Sequence, residues 1–279
     1  MRFVPNQVGV LMLGAALLAS VADQADEAII NDAPRPHLAI PEAKPPLPRV
    51  TAQADDPAWG LAAAVTLDTP SLGSKLAAGQ LIPKTEVRAL WSPDWLYFRF
   101  LCADDQPPYT SAPAPSGSIA DGDVVEIFLD PVGDCRQWFE LQFNAAGARF
   151  IQNTACTGEP KWDASLHLTG DFINRDSWSF QDPVMKSVRS AAAPWQQDGR
   201  TVGWIVDVAL PAGPVLRRAG LRKFAAMTLR GELLRYQHPA VPGAAKRGFL
   251  SLNWSPVVLG APHRSPAAFG FFDLSPSQP

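Results

Sequence analysis

The chain has only three cysteines and four histidines among 279 residues, and their placement removes several chemistries. None of His37, His167, His238 and His263 lies in an HExxH pattern, and no CxxC pair exists, so a zinc enzyme is not expected. There is no GxSxG elbow, no P-loop and no GxGxxG turn, which takes away the usual hydrolase and nucleotide-binding signatures. An excess of one charge is lacking as well. With 24 basic and 27 acidic residues the net charge is −3, which gives no electrostatic footprint for nucleic acid, and no basic run suits a membrane surface. Long helix-period segments are scarce, and no repeat of fixed period occurs.

Proline (28) and tryptophan (9) are what the sequence has in plenty. Together with short alternating segments they point to an all-β chain. The first residues read as an export signal: Arg2 is the positive region, Val8–Ala19 an apolar run, and Ser20-Val21-Ala22 a small-residue cleavage site. That run falls short of the roughly 20 apolar residues a spanning helix needs, and no membrane span is expected after cleavage. No cysteine follows it to mark a lipoprotein. A Pro-rich tether is expected over 23–49, and one globular domain over 50–279. The protein is therefore expected in the periplasm or outside the cell.

Within the domain, Asp56-Pro57-Ala58-Trp59 has the form of an N-cap, a proline at the first helical position and a short helix carrying Trp59 inward. Ser92-Pro93-Asp94 is a type I turn signal between the alternating segments Glu86–Trp91 and Trp95–Cys102. Val124–Asp130 and Gln137–Asn144 each place a large apolar residue at every second position: Val125, Ile127, Leu129, then Phe139, Leu141, Phe143. That is strand periodicity with one buried face. Asp130-Pro131-Val132-Gly133-Asp134 between them is a turn, and a hairpin centred near 133 sets Glu126 opposite Glu140. Further strands are expected at Arg149–Thr154, Ser165–Leu168, Val184–Arg189, Gly203–Leu210, Lys223–Arg235, Gly248–Asn253 and Phe269–Leu274. Loops fall at Gln106–Asp121 and Ser190–Arg200. This spacing predicts two antiparallel sheets packed as a sandwich of jelly-roll or immunoglobulin-like architecture, not βαβ units.

Two carboxylates opposed on one sheet face repel, so a cation, an arginine or a ligand is expected beside Glu126 and Glu140. The same face carries Trp138, Gln142 and Asn144, and the preceding strand offers Tyr97 and Arg99. Amides, carboxylates, arginine and an aromatic ring are groups that satisfy sugar hydroxyls and stack on pyranose rings. The other readings are that Arg99 simply neutralises the pair, or that Glu126, Glu140 and Asp123 act as acid and base at glycosidase spacing. Asp130 and Asp134 are candidate oxygen ligands for a structural Ca²⁺, and no other cofactor is indicated. Export permits disulfides. The next hairpin, centred near 146, brings Cys135 nearly opposite Cys156; these two are expected to bridge, or else all three cysteines are reduced. Cys102 ends an apolar alternation and is expected to be a buried free thiol.

Six segments, in order, resemble the family 9-like carbohydrate-binding modules: Asp55–Trp59, Val87–Phe98, Asp123–Pro131, Gly203–Pro211, Asn253–Pro256, and His263-Arg264 with Phe269-Gly270. The resemblance covers nearly the whole chain after the tether. It implies a β-sandwich that binds a carbohydrate or glycan without cleaving it, in support of polysaccharide use. The chain departs from the family where two aromatics clamp a terminal sugar, having Ala120 and His263 at those places. Asp207 stands for a glutamate and Ala212 for a tryptophan. The ligand-binding group expected from the residues themselves is Glu126, Trp138, Glu140 and Gln142 with Arg99, and the final-loop His263 and Arg264 form a rim. The same sandwich resembles haem-binding domains of dehydrogenase accessory subunits, for which Met185, Met227 and His263 are the available ligands. A structural envelope protein is the third reading.

Overall fold

The alternation of apolar residues builds two sheets facing each other. The computed structural model describes residues 35–276 apart from 69, 72–73, 76–81, 111–118, 164–165, 178–186, 242, 244 and 257–261. Its strands begin with β1 (His37–Pro41), β2 (Ala63–Leu67), β3 (Thr85–Ser92), β4 (Trp95–Ala103), β5 (Val124–Asp130), β6 (Gln137–Asn144) and β7 (Arg149–Cys156). They continue with β8 (Phe172–Ser177), β9 (Arg189–Gln197), β10 (Arg200–Pro211), β11 (Met227–Gln237), β12 (Leu250–Asn253) and β13 (Gly270–Ser275). The larger sheet runs β1-β13-β11-β5-β6-β7-β8, with β12 also paired to β11; the smaller runs β2-β3-β4-β10-β9. β1 lies parallel to β13, and the other strand pairs are antiparallel.

The core lies between the sheets. Val125, Ile127 and Leu129 of β5 and Phe139, Leu141 and Phe143 of β6 pack with Phe98 and Phe100 of β4 and Val206 and Val208 of β10. The alternation read from the sequence therefore marks this inner face correctly. Asp56 caps the short 3₁₀ turn Pro57–Leu61 by accepting from Ala58 N, and Trp59 is buried. Both capping and the proline at the first position act as expected.

Four expectations change. The tether does not extend to residue 49, because β1 hydrogen-bonds along β13; Leu38 and Ile40 reach the inter-sheet core, and two apolar residues at period two suffice when a sheet edge is open to them. Residues 23–34 lie outside the described residues, as does the export signal. Ser190–Arg200, expected as a loop, is mostly the edge strand β9, where Pro194 needs no inward N–H. Of the strand expected at Ser165–Leu168, the described residues form only a single bridge, from Leu168 to Trp162, and Ser165 lies outside them. Most of the strand expected over 184–189 lies outside the described residues.

The fourth change is register. In the β5–β6 hairpin Glu126 pairs with Gln142, Ile127 with Leu141 and Phe128 with Glu140. The hairpin centre moves from 133 to 134, so the connection is two residues longer than expected, through a turn in which Gly133 and Cys135 both adopt positive φ, 77° and 57°. The Asp130 carboxylate holds this turn by accepting from the backbone N–H groups of Val132, Gly133 and Cys135 at 2.7–3.1 Å. The β6–β7 hairpin has the expected centre, with Gln137 opposite Ala155 and Leu141 opposite Ile151.

Candidate functional site

Alternation sends Glu126, Glu140 and Gln142 to the outer face of the larger sheet, away from the inter-sheet core. Glu126 and Glu140 are diagonal neighbours across β5 and β6. Both are buried, at 1% and 8% exposed. Gln142 Nε2 donates to Glu140 Oε1 at 2.7 Å, and Gln142 Oε1 accepts from Ile119 N at 3.1 Å. Glu126 Oε1 is buried without a hydrogen-bond partner. Burial, and then the charge of Glu140, push the Glu126 carboxyl well above its ordinary range; a hydrogen bond with Gln142 opposes them. Burial likewise pushes Glu140 up to about 7. No described lysine or arginine forms an ion pair with either glutamate, so no cation offsets the repulsion and desolvation.

Two apolar clusters flank these residues on the same face. One joins Phe128 and Trp138 to Trp162, Leu168, Leu234 and Phe269; the other joins Ile119, Val124 and Phe150, with Tyr236 packed against both. Tyr236 feels Glu126 and Glu140, whose charges act after burial in raising its phenol. β11 places it there, with Ser251 opposite it on β12 and Asn253 two residues further on. Tyr236 has no signal of its own in the sequence beyond its period-two spacing from Leu234 on β11. It stands about a hundred residues from the glutamates, and nothing local announces that β11 pairs with β5.

The remaining expected residues divide. Trp138 shares the face but is wholly buried in its apolar cluster, with Nε1 unpartnered, so it is a packing residue and not an open stacking platform. His263 and Arg264 form a short 3₁₀ turn on the same side of the sheet, and Arg264 exchanges hydrogen bonds with Leu168. Arg99 is a correction. Its strand β4 belongs to the smaller sheet, and its guanidinium forms a buried two-pronged pair with Asp207, at 2.7 and 2.9 Å, lying 4.8 Å from the Trp59 ring. It neither neutralises the glutamates nor shares their face. Asp123 accepts from Tyr109 N and His238 N, so its oxygens are engaged in loop structure.

The Cys135–Cys156 bridge is also corrected. All three cysteines are free, and Cys156 Sγ donates instead to the Cys135 carbonyl at 3.6 Å. Cys135 sits in a turn with a positive φ of 57°, and its carbonyl faces the Cys156 thiol. Asp130 is committed to its turn and Asp134 to Arg218 and Arg136 N. Among the described residues no group of three or more His, Cys, Asp or Glu side chains could hold a metal ion. No described helix is long and apolar enough to cross a membrane.

No family model matches the chain, and no curated protein does. A solved structure is similar: a "putative carbohydrate-binding protein" from Bacteroides uniformis, with a TM-score of 0.59 and 15% identity, the match covering 87% of this chain and 100% of that one. The two share a fold. At this identity the likeness concerns the backbone, so the chemistry of the site rests on the residues above.

Proposed function

We propose that this chain is an exported, non-catalytic module of the family 9-like kind that binds a carbohydrate on the outer face of its larger sheet, in support of polysaccharide use. The observation that carries the reading is the buried pair Glu126 and Glu140, with Glu126 Oε1 left without a partner. Adjoining buried carboxyls with no cation work against folding, and sugar hydroxyls are donors suited to them. The fold shared with a protein of that description and the leader-like residues 1–22 support the same reading. The haem alternative gains nothing: Met227 packs against the inter-sheet core, His263 lies over the opposite face, and Met185 is outside the described residues. Asp130 and Asp134, taken up by backbone N–H groups and by Arg218, do not fit a structural Ca²⁺. A glycan array followed by titration calorimetry tests the function. Glu140→Gln is expected to fold and to weaken binding by roughly 1.5–3 kcal/mol, one to two decades in affinity. Unchanged affinity with an altered melting temperature would make the pair structural and leave the envelope-protein reading standing.

A further inference from the structure

A hollow of about 640 Å³ opens elsewhere on the molecule, where the 47–51 segment meets the beginnings of β4, β7 and β9 and the later part of β10. Three arginines from distant parts of the chain converge on it, Arg49, Arg149 and Arg189, beside Trp95 and Tyr97. None of its lining residues is acidic, although the chain holds more acids than bases. The neighbouring acids are spoken for. Asp56 accepts from Arg49 N and Ala58 N, Asp207 from Arg99 and Ala52 N, and Asp94 pairs with Lys223.

The three guanidiniums have no carboxylate partner among the described residues. Arg149 spends one donor on the Val188 carbonyl at 2.7 Å, and Arg189 lies 4.3 Å from the Trp95 ring. A guanidinium has five N–H donors in a planar fork that matches carboxylate and sulfate oxygens. Like charges gathered without counter-charge repel unless an anion completes them. The volume is that of a small-ligand pocket, and Trp95 and Tyr97 supply apolar ring surface beside the charges.

We propose that this hollow is a second binding site, for an acidic saccharide bearing carboxylate or sulfate groups. That the anion is carried on a sugar rests on the carbohydrate reading above; that the hollow takes an anion does not. The test is titration of the full chain with trigalacturonate, with neutral cellotriose and inorganic sulfate as controls. Trigalacturonate is expected to bind with an affinity that falls as salt is raised. The exposed pair of changes Arg49→Gln and Arg189→Gln together should weaken it at least about tenfold, while Lys246→Gln, which removes an exposed charge outside the hollow, leaves it unchanged. Cellotriose binding that is lost in the double arginine variant, or full trigalacturonate affinity in that variant, overturns the site. Binding of sulfate without trigalacturonate overturns the saccharide assignment. Trigalacturonate binding lost in Glu126→Gln but kept in the arginine variant overturns this site while supporting the one on the larger sheet.

Discussion

Arg99 shows how one residue's role is decided by which sheet its strand joins. On β4 it faces outward from the smaller sheet, and Asp207 opposite it on β10 also accepts from the backbone N–H groups of Thr51 and Ala52. The pair thereby fastens the incoming chain to the sheet. Both side chains are essentially sealed from solvent, at 1% and 0% exposed, so removing one leaves a buried charge without its partner. Arg99→Met is expected to lower stability by about 3–5 kcal/mol. The double change Arg99→Met, Asp207→Leu should recover only part of that loss, since the apolar pair has no charge to desolvate but leaves the buried Ala52 N–H without its acceptor. Urea denaturation of the three proteins checks this; a loss under about 1 kcal/mol in the single variant would mean that water reaches Asp207.

At the scale of elements, the strands with a clear inner face were legible in the sequence, and their neighbours were not. β5 and β6 have the bounds read from their alternation, because Val125, Ile127, Leu129 and their partners must reach the core. Their register was misread by one residue at the turn centre because the positive φ of Cys135 has no marker in the residue type. That β4 precedes β5 in sequence suggests that Arg99 shares the glutamate face, whereas the chain crosses to the other sheet between them. β9, rich in alanine and half-exposed, has too little apolar contrast to show a period. One pairing does depend on a single small residue. β10 shifts register against β9 between Thr201 and Gly203, and a Cβ at Gly203 would sit 1.9 Å from the Cys102 carbonyl oxygen on β4. Gly203→Ala must push β10 off β4. A loss of at least about 1–3 kcal/mol is expected, with faster amide exchange at Asp104, whose N–H bonds Val202 O. Wild-type exchange and melting in that variant would show that the ladder yields there.

Across the whole molecule, several carboxyls are buried in a way that ties folding to proton uptake. Glu232, fully enclosed, accepts from the backbone N–H groups of Leu233, Trp254 and Ser255, yet burial outweighs these bonds and pushes it up to about 8. Glu140 is pushed up to about 7, and Glu126, Asp104 and Asp130 shift upward too, each chiefly by burial. Among the described carboxyls only Asp134 and Glu159, paired with arginines at the surface, move the other way. A carboxyl whose folded pKa exceeds its unfolded one is protonated more readily in the native state, so folding binds protons and stability falls as pH rises. The contribution is complete below about 4.5, the ordinary glutamate value, and is lost as pH climbs through about 7 for Glu140 and about 8 for Glu232. The expected result is a protein more stable at pH 5 than at pH 8, by on the order of a few kcal/mol. Glu140→Gln should flatten the curve up to about pH 7, and Glu232→Gln its upper limb, since an amide imitates the protonated acid and cannot ionise. Urea melts at pH 5, 6.5 and 8 measure this directly. A wild-type curve that is flat or rises over that range would show that ligand-free Glu126 and Glu140 are hydrated, and the face they share would then be open to water before any sugar arrives.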